Sequence, residues 1–133
     1  LEAFTNYIKP HFKDSQPYLA SAAENLLAKL EPHYKKGTTI TATGFYAPQG
    51  RSLRLLQEFP NFIESINRFR HKHFRITNLE METAGIYGLG KLLNHNCISV
   101  NAILANRINH TFSKDPGKIV NKMIEEVLEI VTS

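Results

Sequence analysis

Cys97-Ile98-Ser99-Val100-Asn101-Ala102-Ile103-Leu104-Ala105 is nearly all apolar. Such a run reads as a central strand covered on both faces, the pattern of a sheet with helices packed above and below it. Downstream, residues 106–114 form a loop, and Asp115-Pro116 supplies a helix cap followed by a proline at the first helical position. Val120, Met123, Ile124, Val127, Leu128 and Val131 then recur at helical spacing, which predicts the inner face of a closing helix. Upstream, residues 82–93 read as a buried helix, because Ala84, Ile86, Tyr87, Leu89, Leu92 and Leu93 leave little polar surface.

Moving further toward the N-terminus, residues 60–70 predict a short helix with Phe62, Ile66 and Phe69 on one face. Thr38-Thr39-Ile40-Thr41-Ala42-Thr43 reads as a strand, since β-branched residues dominate it. Leu19, Ala22, Ala23, Leu26, Leu27 and Leu30 repeat at helical spacing, with Asp14 or Ser15 placed to cap that helix and Lys35-Lys36-Gly37 closing the unit. The order helix, strand, helix, strand, helix gives an α/β fold rather than a bundle or a sandwich. In such sheets ligands bind beyond the carboxyl ends of the strands, so the loops 44–51 and 106–112 are the places to look.

Composition narrows the class. With 133 residues, 42% hydrophobic and 21% charged, the chain suits one domain and is not an intrinsically disordered sequence. No stretch reaches the ~18 apolar residues of a membrane span, and a soluble protein is expected. The first residues carry no cationic leader or apolar signal core. One cysteine, Cys97, excludes an internal disulfide and a cysteine-rich zinc site, which fits a reducing cytoplasm. The net charge of +4 makes anionic partners plausible without choosing among them. Much of it is local, since residues 68–75 hold Arg68, Arg70, Lys72 and Arg75 with two histidines between them.

Three segments could carry chemistry. In Gly44-Phe45-Tyr46-Ala47-Pro48-Gln49-Gly50-Arg51, a carboxamide and a guanidinium two residues apart can face the same way if the segment is extended. Gln offers a donor and an acceptor and Arg a planar fork of donors, which suits a heterocycle with carbonyl oxygens and a ring N–H. Phe45 could stack on its face. The plain alternative is a solvated polar loop. In Asn78-Leu79-Glu80-Met81-Glu82-Thr83-Ala84, two carboxylates ahead of an apolar helix could accept hydrogen bonds from a sugar diol. Acidic residues in a first helical turn are favoured by the backbone dipole in any case, and a glycosidase-like carboxyl pair is a third option. Asn106-Arg107, after the apolar run, could bring a guanidinium into the crevice or leave it exposed. His71 and His73 lack a third nearby metal ligand, Cys97 reads as core, and residues 68–75 with Phe69 and Phe74 read either as a nucleic-acid surface or, more commonly, as a solvated charged segment.

In order and spacing, the residues Phe45 to Arg51, Asn78 to Ala84 and Ile103-Leu104-Ala105-Asn106-Arg107 resemble the nucleoside phosphorylase superfamily, and within it the uridine phosphorylases. The resemblance implies a three-layer phosphorylase/hydrolase-like α/β fold, with this chain as the C-terminal portion of a mixed central sheet flanked by helices. By position, it implies that Gln49 and Arg51 bind the pyrimidine edge, that Phe45 packs on the base, and that Leu104 and Ala105 line the base pocket with Arg107 behind the Gln49/Arg51 end. Glu80, Met81 and Glu82 would line the ribose, with Glu82 accepting from its hydroxyls. Arg51, Gln49 and Glu82 are the residues implied in catalysis. Asn106-Arg107 stands where purine-cleaving relatives usually carry an Asp, which argues against a purine.

The activity implied is phosphorolysis of uridine to uracil and ribose 1-phosphate, with phosphate as co-substrate and with no cofactor or metal. The family's phosphate-binding N-terminal half has no counterpart here, so residues 1–133 are expected to form a single partial domain, inactive alone. Complete relatives form dimers or hexamers and act in cytoplasmic pyrimidine salvage. The alternatives are a nucleoside hydrolase of the same superfamily, and a non-catalytic module binding nucleosides or nucleic acid.

Overall fold

The computed structural model of the chain describes residues 1–10, 16–54 and 59–133. They include five helices: α1 (Glu2–Ile8), α2 (Glu24–Leu30), α3 (Phe62–Arg68), α4 (Thr83–Leu92) and α5 (Pro116–Thr132). Four short strands accompany them: β1 (Thr39–Thr41), β2 (Asn78–Glu80), β3 (Ala105–Asn106) and β4 (Thr111–Phe112). The result is a mixed α/β chain. Two compact units divide it, one of residues 1–20 and 37–84, the other of residues 21–36 and 85–133.

In the first unit, β1 and β2 pair in parallel, with Thr39 opposite Asn78, Ile40 opposite Leu79 and Thr41 opposite Glu80. The amide of Ala42 extends the ladder by donating to the Glu80 carbonyl at 2.8 Å. Helix α3 forms within the predicted span and buries Phe62 and Ile66, while Phe69, at its C-cap, is buried as well. Each such side chain contributes roughly 2 kcal/mol by leaving water. α1 was not evident from periodicity. Its Phe4 and Tyr7 rings pack on Phe69 at 5.2 and 5.1 Å, and the Tyr7 hydroxyl donates to the Ser65 carbonyl at 2.8 Å.

In the second unit, α2 packs on α5. The Tyr34 hydroxyl donates to Glu126 Oε2 at 3.1 Å. α5 starts where Asp115-Pro116 predicts, and the Asp115 carboxylate accepts from the amide of Lys118 at 3.0 Å. α2 is shorter than its apolar spacing suggests. It begins after Ala23, which is extended and, as an alanine, has no side-chain acceptor for a cap; its amide donates to the Cys97 carbonyl at 2.9 Å. The proposed caps Asp14 and Ser15 lie outside the described residues.

Three expectations of burial fail. No residue of α5 is buried, and Ile124 and Leu128 of its predicted inner face are exposed, because the neighbours described around it cover only part of the helix. α4 forms nearly as predicted, yet Ile86, Leu89, Leu92 and Leu93 are exposed, Leu92 to 83%. Residues 97–104 join no strand ladder among the described residues, and Asn101, Ile103 and Ala105 are exposed. Only the end of the run pairs, as β3 against β4 in an antiparallel hairpin. Apolar composition states what a segment would bury; it does not supply the layer that covers it. Where α4 and the run do meet, the fit is close. A Cβ at Gly90 would collide with the Cys97 sulfur, so glycine is what lets the half-buried Cys97 sit there.

Candidate functional site

The parallel pairing of β1 and β2 fixes the geometry of the site. Both strands run the same way, so the loop after β1 and the segment after β2 leave the same edge, the edge where α/β sheets bind ligands. The first exit leads to residues 44–51 and the second to Met81 and Glu82.

The 44–51 loop is not extended. Ala47–Gln49 form a single 3-10 turn, and Gly50 follows with φ 66 in the left-handed region. Gly50 is needed on two counts, since a Cβ there would also stand 3.2 Å from Phe62 Cδ1. The Tyr46 carbonyl accepts from the amides of Gln49 and Arg51 at 3.1 and 2.9 Å, closing the turn. This compact geometry does what extension was expected to do and brings the two side chains together. Arg51 Nη1 donates to Gln49 Oε1 at 2.5 Å and to the Phe45 carbonyl at 2.6 Å. Gln49 is only 5% exposed and so offers the guanidinium a fixed acceptor. Phe45 is exposed, its ring 3.9 Å from the Arg51 guanidinium carbon. One ring face is therefore already stacked on a cation. The bonds of Arg51 to described residues all run through Nη1 and leave Nη2 and Nε as donors for a ligand.

The two carboxylates of 78–84 separate into different roles. Glu80 turns inward. Its Oε2 accepts from the amides of Glu82 and Thr83 at 2.7 and 2.6 Å, and its Oε1 from the hydroxyls of Thr41 and Thr39 at 2.5 and 3.4 Å. Thr41 Oγ1 in turn accepts from the Ala84 amide at 2.9 Å. Glu80 thus supplies the start of α4 with acceptors its backbone lacks. Burial would push its carboxyl up, but the bonds from Thr41, the Thr83 and Glu82 amides and the Thr83 hydroxyl outweigh that and hold it below the usual value. Glu82 is exposed, and its Oε2 accepts from the Met81 amide at 3.1 Å. Met81 is exposed beside it.

The remaining expected residues belong to the second unit. Leu104 is half-buried, and its carbonyl accepts from the Ser113 amide at 2.8 Å; Ala105 is exposed in β3. Arg107 is half-buried at the start of the turn joining β3 to β4. That turn is set by Asn106, whose side-chain oxygen accepts from the amides of Ile108 and Asn109 at 3.1 and 3.0 Å.

Sequence reasoning missed Thr39 and Thr41. A signal existed, because residues two apart in a strand share a face, so two hydroxyls alternate onto the side that meets Glu80. Tyr46 was missed because it acts through its main-chain carbonyl. No group of three or more His, Cys, Asp or Glu able to hold a metal occurs among the described residues. No described helix is long and apolar enough to cross a membrane.

A uridine phosphorylase from Thermococcus kodakarensis is 32% identical to this chain over 114 residues, 85% of its length. The chain spans 39% of that relative's length. No solved structure matches it. The family model described as the phosphorylase superfamily matches residues 3–133. The match includes all three of the segments singled out for chemistry, and the chain belongs to the phosphorylase superfamily.

Proposed function

We propose that this chain supplies the base and ribose subsites of a pyrimidine nucleoside phosphorylase acting on uridine. The observation that carries this reading is the common edge of β1 and β2, from which the Gln49/Arg51 turn and the exposed Glu82 both emerge. A guanidinium held by a buried carboxamide suits the carbonyl edge of uracil, and an exposed carboxylate suits a sugar diol. The 32% identity to a uridine phosphorylase supports the same substrate class.

In phosphorolysis the C1′–N1 bond breaks as a phosphate oxygen bonds to C1′. The bonding electrons leave with the base, which takes a proton to become uracil. Arg51 Nη2 and Nε are the donors this reading aims at the departing base, where stabilisation counts most in the transition state. Gln49 orients that guanidinium and Phe45 gives the base apolar surface; the roles of Leu104, Ala105 and Arg107 at the base rest on the resemblance alone. Met81 and Glu82 take the ribose, and Glu82 fixes the sugar for attack. Glu80 is assigned a positioning role here, since its oxygens are engaged by the backbone and by Thr41. Phosphate would be held by groups outside this chain. The reading carries with it the three-layer sheet, the homo-oligomer and the cytoplasmic pyrimidine salvage role of the resemblance.

Calorimetric titration of uracil and uridine into the chain tests it. Uracil is expected to bind, Arg51→Ala to weaken it at least about 10-fold, and Arg51→Lys to fail to restore it, because a point charge does not replace a planar fork. Glu82→Gln is expected to weaken uridine and leave uracil unchanged. Uracil binding unaffected by Arg51→Ala would refute the reading.

A further inference from the structure

We propose that residues 68–75 form a second binding surface, one that takes single-stranded nucleic acid. The inference is independent of the phosphorylase reading. It rests on how the first unit holds this stretch. Phe69 is buried against Phe4 and Tyr7 and anchors the segment in the core. Arg70 Nη1 donates to the carbonyls of Asn67 and Phe69 at 2.6 and 2.7 Å, which closes the end of α3. Beyond it the chain reverses. The His71 amide donates to the Phe74 carbonyl at 3.1 Å and the Phe74 amide to the His71 carbonyl at 2.9 Å. Lys72 sits at the tip with φ 54, the positive φ of a tight hairpin turn.

The charged segment is therefore a pinned hairpin with its functional groups outward. Arg68, Arg70, His71, Lys72, His73, Phe74 and Arg75 are all exposed. Both ion pairs of the described residues lie elsewhere, at Lys36–Glu31 and Lys122–Glu126, so among the described residues the four fixed cations have no counter-charge in contact. Among them stand two rings. His73 and Phe74 have centroids 4.4 Å apart at an interplanar angle of 32°, and Phe74 is 51% exposed.

This combination selects the partner. An acidic protein surface would engage the cations and leave the ring pair without a role. An anionic bilayer calls for a larger apolar face than one phenyl ring. Single-stranded nucleic acid uses both parts, with phosphates on the cations and unstacked bases on the aromatic platform. A duplex hides its base faces and would use the charges alone. The hairpin enters β2 from its amino end, whereas Glu82 follows the carboxyl end. Three residues of strand, roughly 10 Å, separate the two surfaces.

The test is fluorescence anisotropy of a labelled 12-nucleotide oligo(dA) titrated with the full chain. An adenine probe avoids the pyrimidine subsite. Four neutralised phosphates imply a log–log salt slope of about −2.8, so lowering salt from 200 to 50 mM should tighten binding about 50-fold. The triple variant Arg68→Gln, Lys72→Gln, Arg75→Gln spares the Arg70 clamp and should flatten the slope by about 2. Phe74→Ala should weaken binding roughly 10-fold with the slope unchanged. Circular dichroism and a urea midpoint matching the unsubstituted chain exclude misfolding in both variants. The proposal is overturned by no binding at 50 mM salt, by equal affinity for a duplex of the same sequence, or by a triple variant that keeps its slope. It is overturned also if phosphatidylserine vesicles bind while the oligonucleotide does not.

Discussion

Glu80→Ala removes the carboxylate that joins β1 to the start of α4, and its cost follows from the bonds it makes. The amides of Glu82 and Thr83, 2.7 and 2.6 Å from Oε2, lose their acceptor. Hydrogen bonds to a charged group contribute roughly 1.5–3 kcal/mol each when buried. Glu80 is half-exposed, so water replaces part of what is lost and the sum must be discounted substantially. About 2 kcal/mol remains for the opening of this turn, or about 30-fold in exchange protection. Amide hydrogen exchange read at Glu82 and Thr83 is the assay, with Ile66 in the core of the first unit as internal reference. Because the folded carboxyl titrates below its usual value, the stabilisation is complete above the unfolded pKa and fades as pH falls through the folded one. The difference between wild type and variant should shrink in acid accordingly. Equal protection of the two amides at neutral pH, or a difference that ignores acid, would refute the positioning role given to Glu80.

Gly50→Ala should destabilise the 44–51 turn, the proposed base subsite, by roughly 1–2 kcal/mol, since an L side chain at φ 66 is strained and its Cβ crowds Phe62. A lowered urea midpoint together with weaker uracil binding is the expected result; a normal midpoint would show that the turn tolerates a side chain. Asp115→Ala should cost about 1 kcal/mol through loss of the cap on the Lys118 amide, measured as reduced exchange protection in the first turn of α5. Asp115→Asn should restore most of it, because an amide oxygen caps equally well.

The closing helix was legible in the sequence, and so was the core face of α3. Asp115 caps Lys118 three residues on, and Phe62, Ile66 and Phe69 return to one face by helical spacing alone. These are relations between near neighbours, which local backbone geometry fixes. The three candidate segments stood out by residue type, and all lie within the span that the phosphorylase superfamily matches. What the sequence could not divide was the pair Glu80 and Glu82. Both are carboxylates at a helix start, and their difference depends on Thr41, a residue 39 positions away from Glu80, arriving in parallel register. The Arg51–Gln49 contact likewise needed a tight turn with a left-handed glycine and not an extended loop. Residues 97–105 mark the same boundary from the other side. Their composition determines that they favour burial, while the neighbours of a strand are set by distant segments, and among the described residues only Ala105 enters a ladder. Composition and spacing determine what each segment can do; the pairing of segments far apart in the chain decides which of them does it.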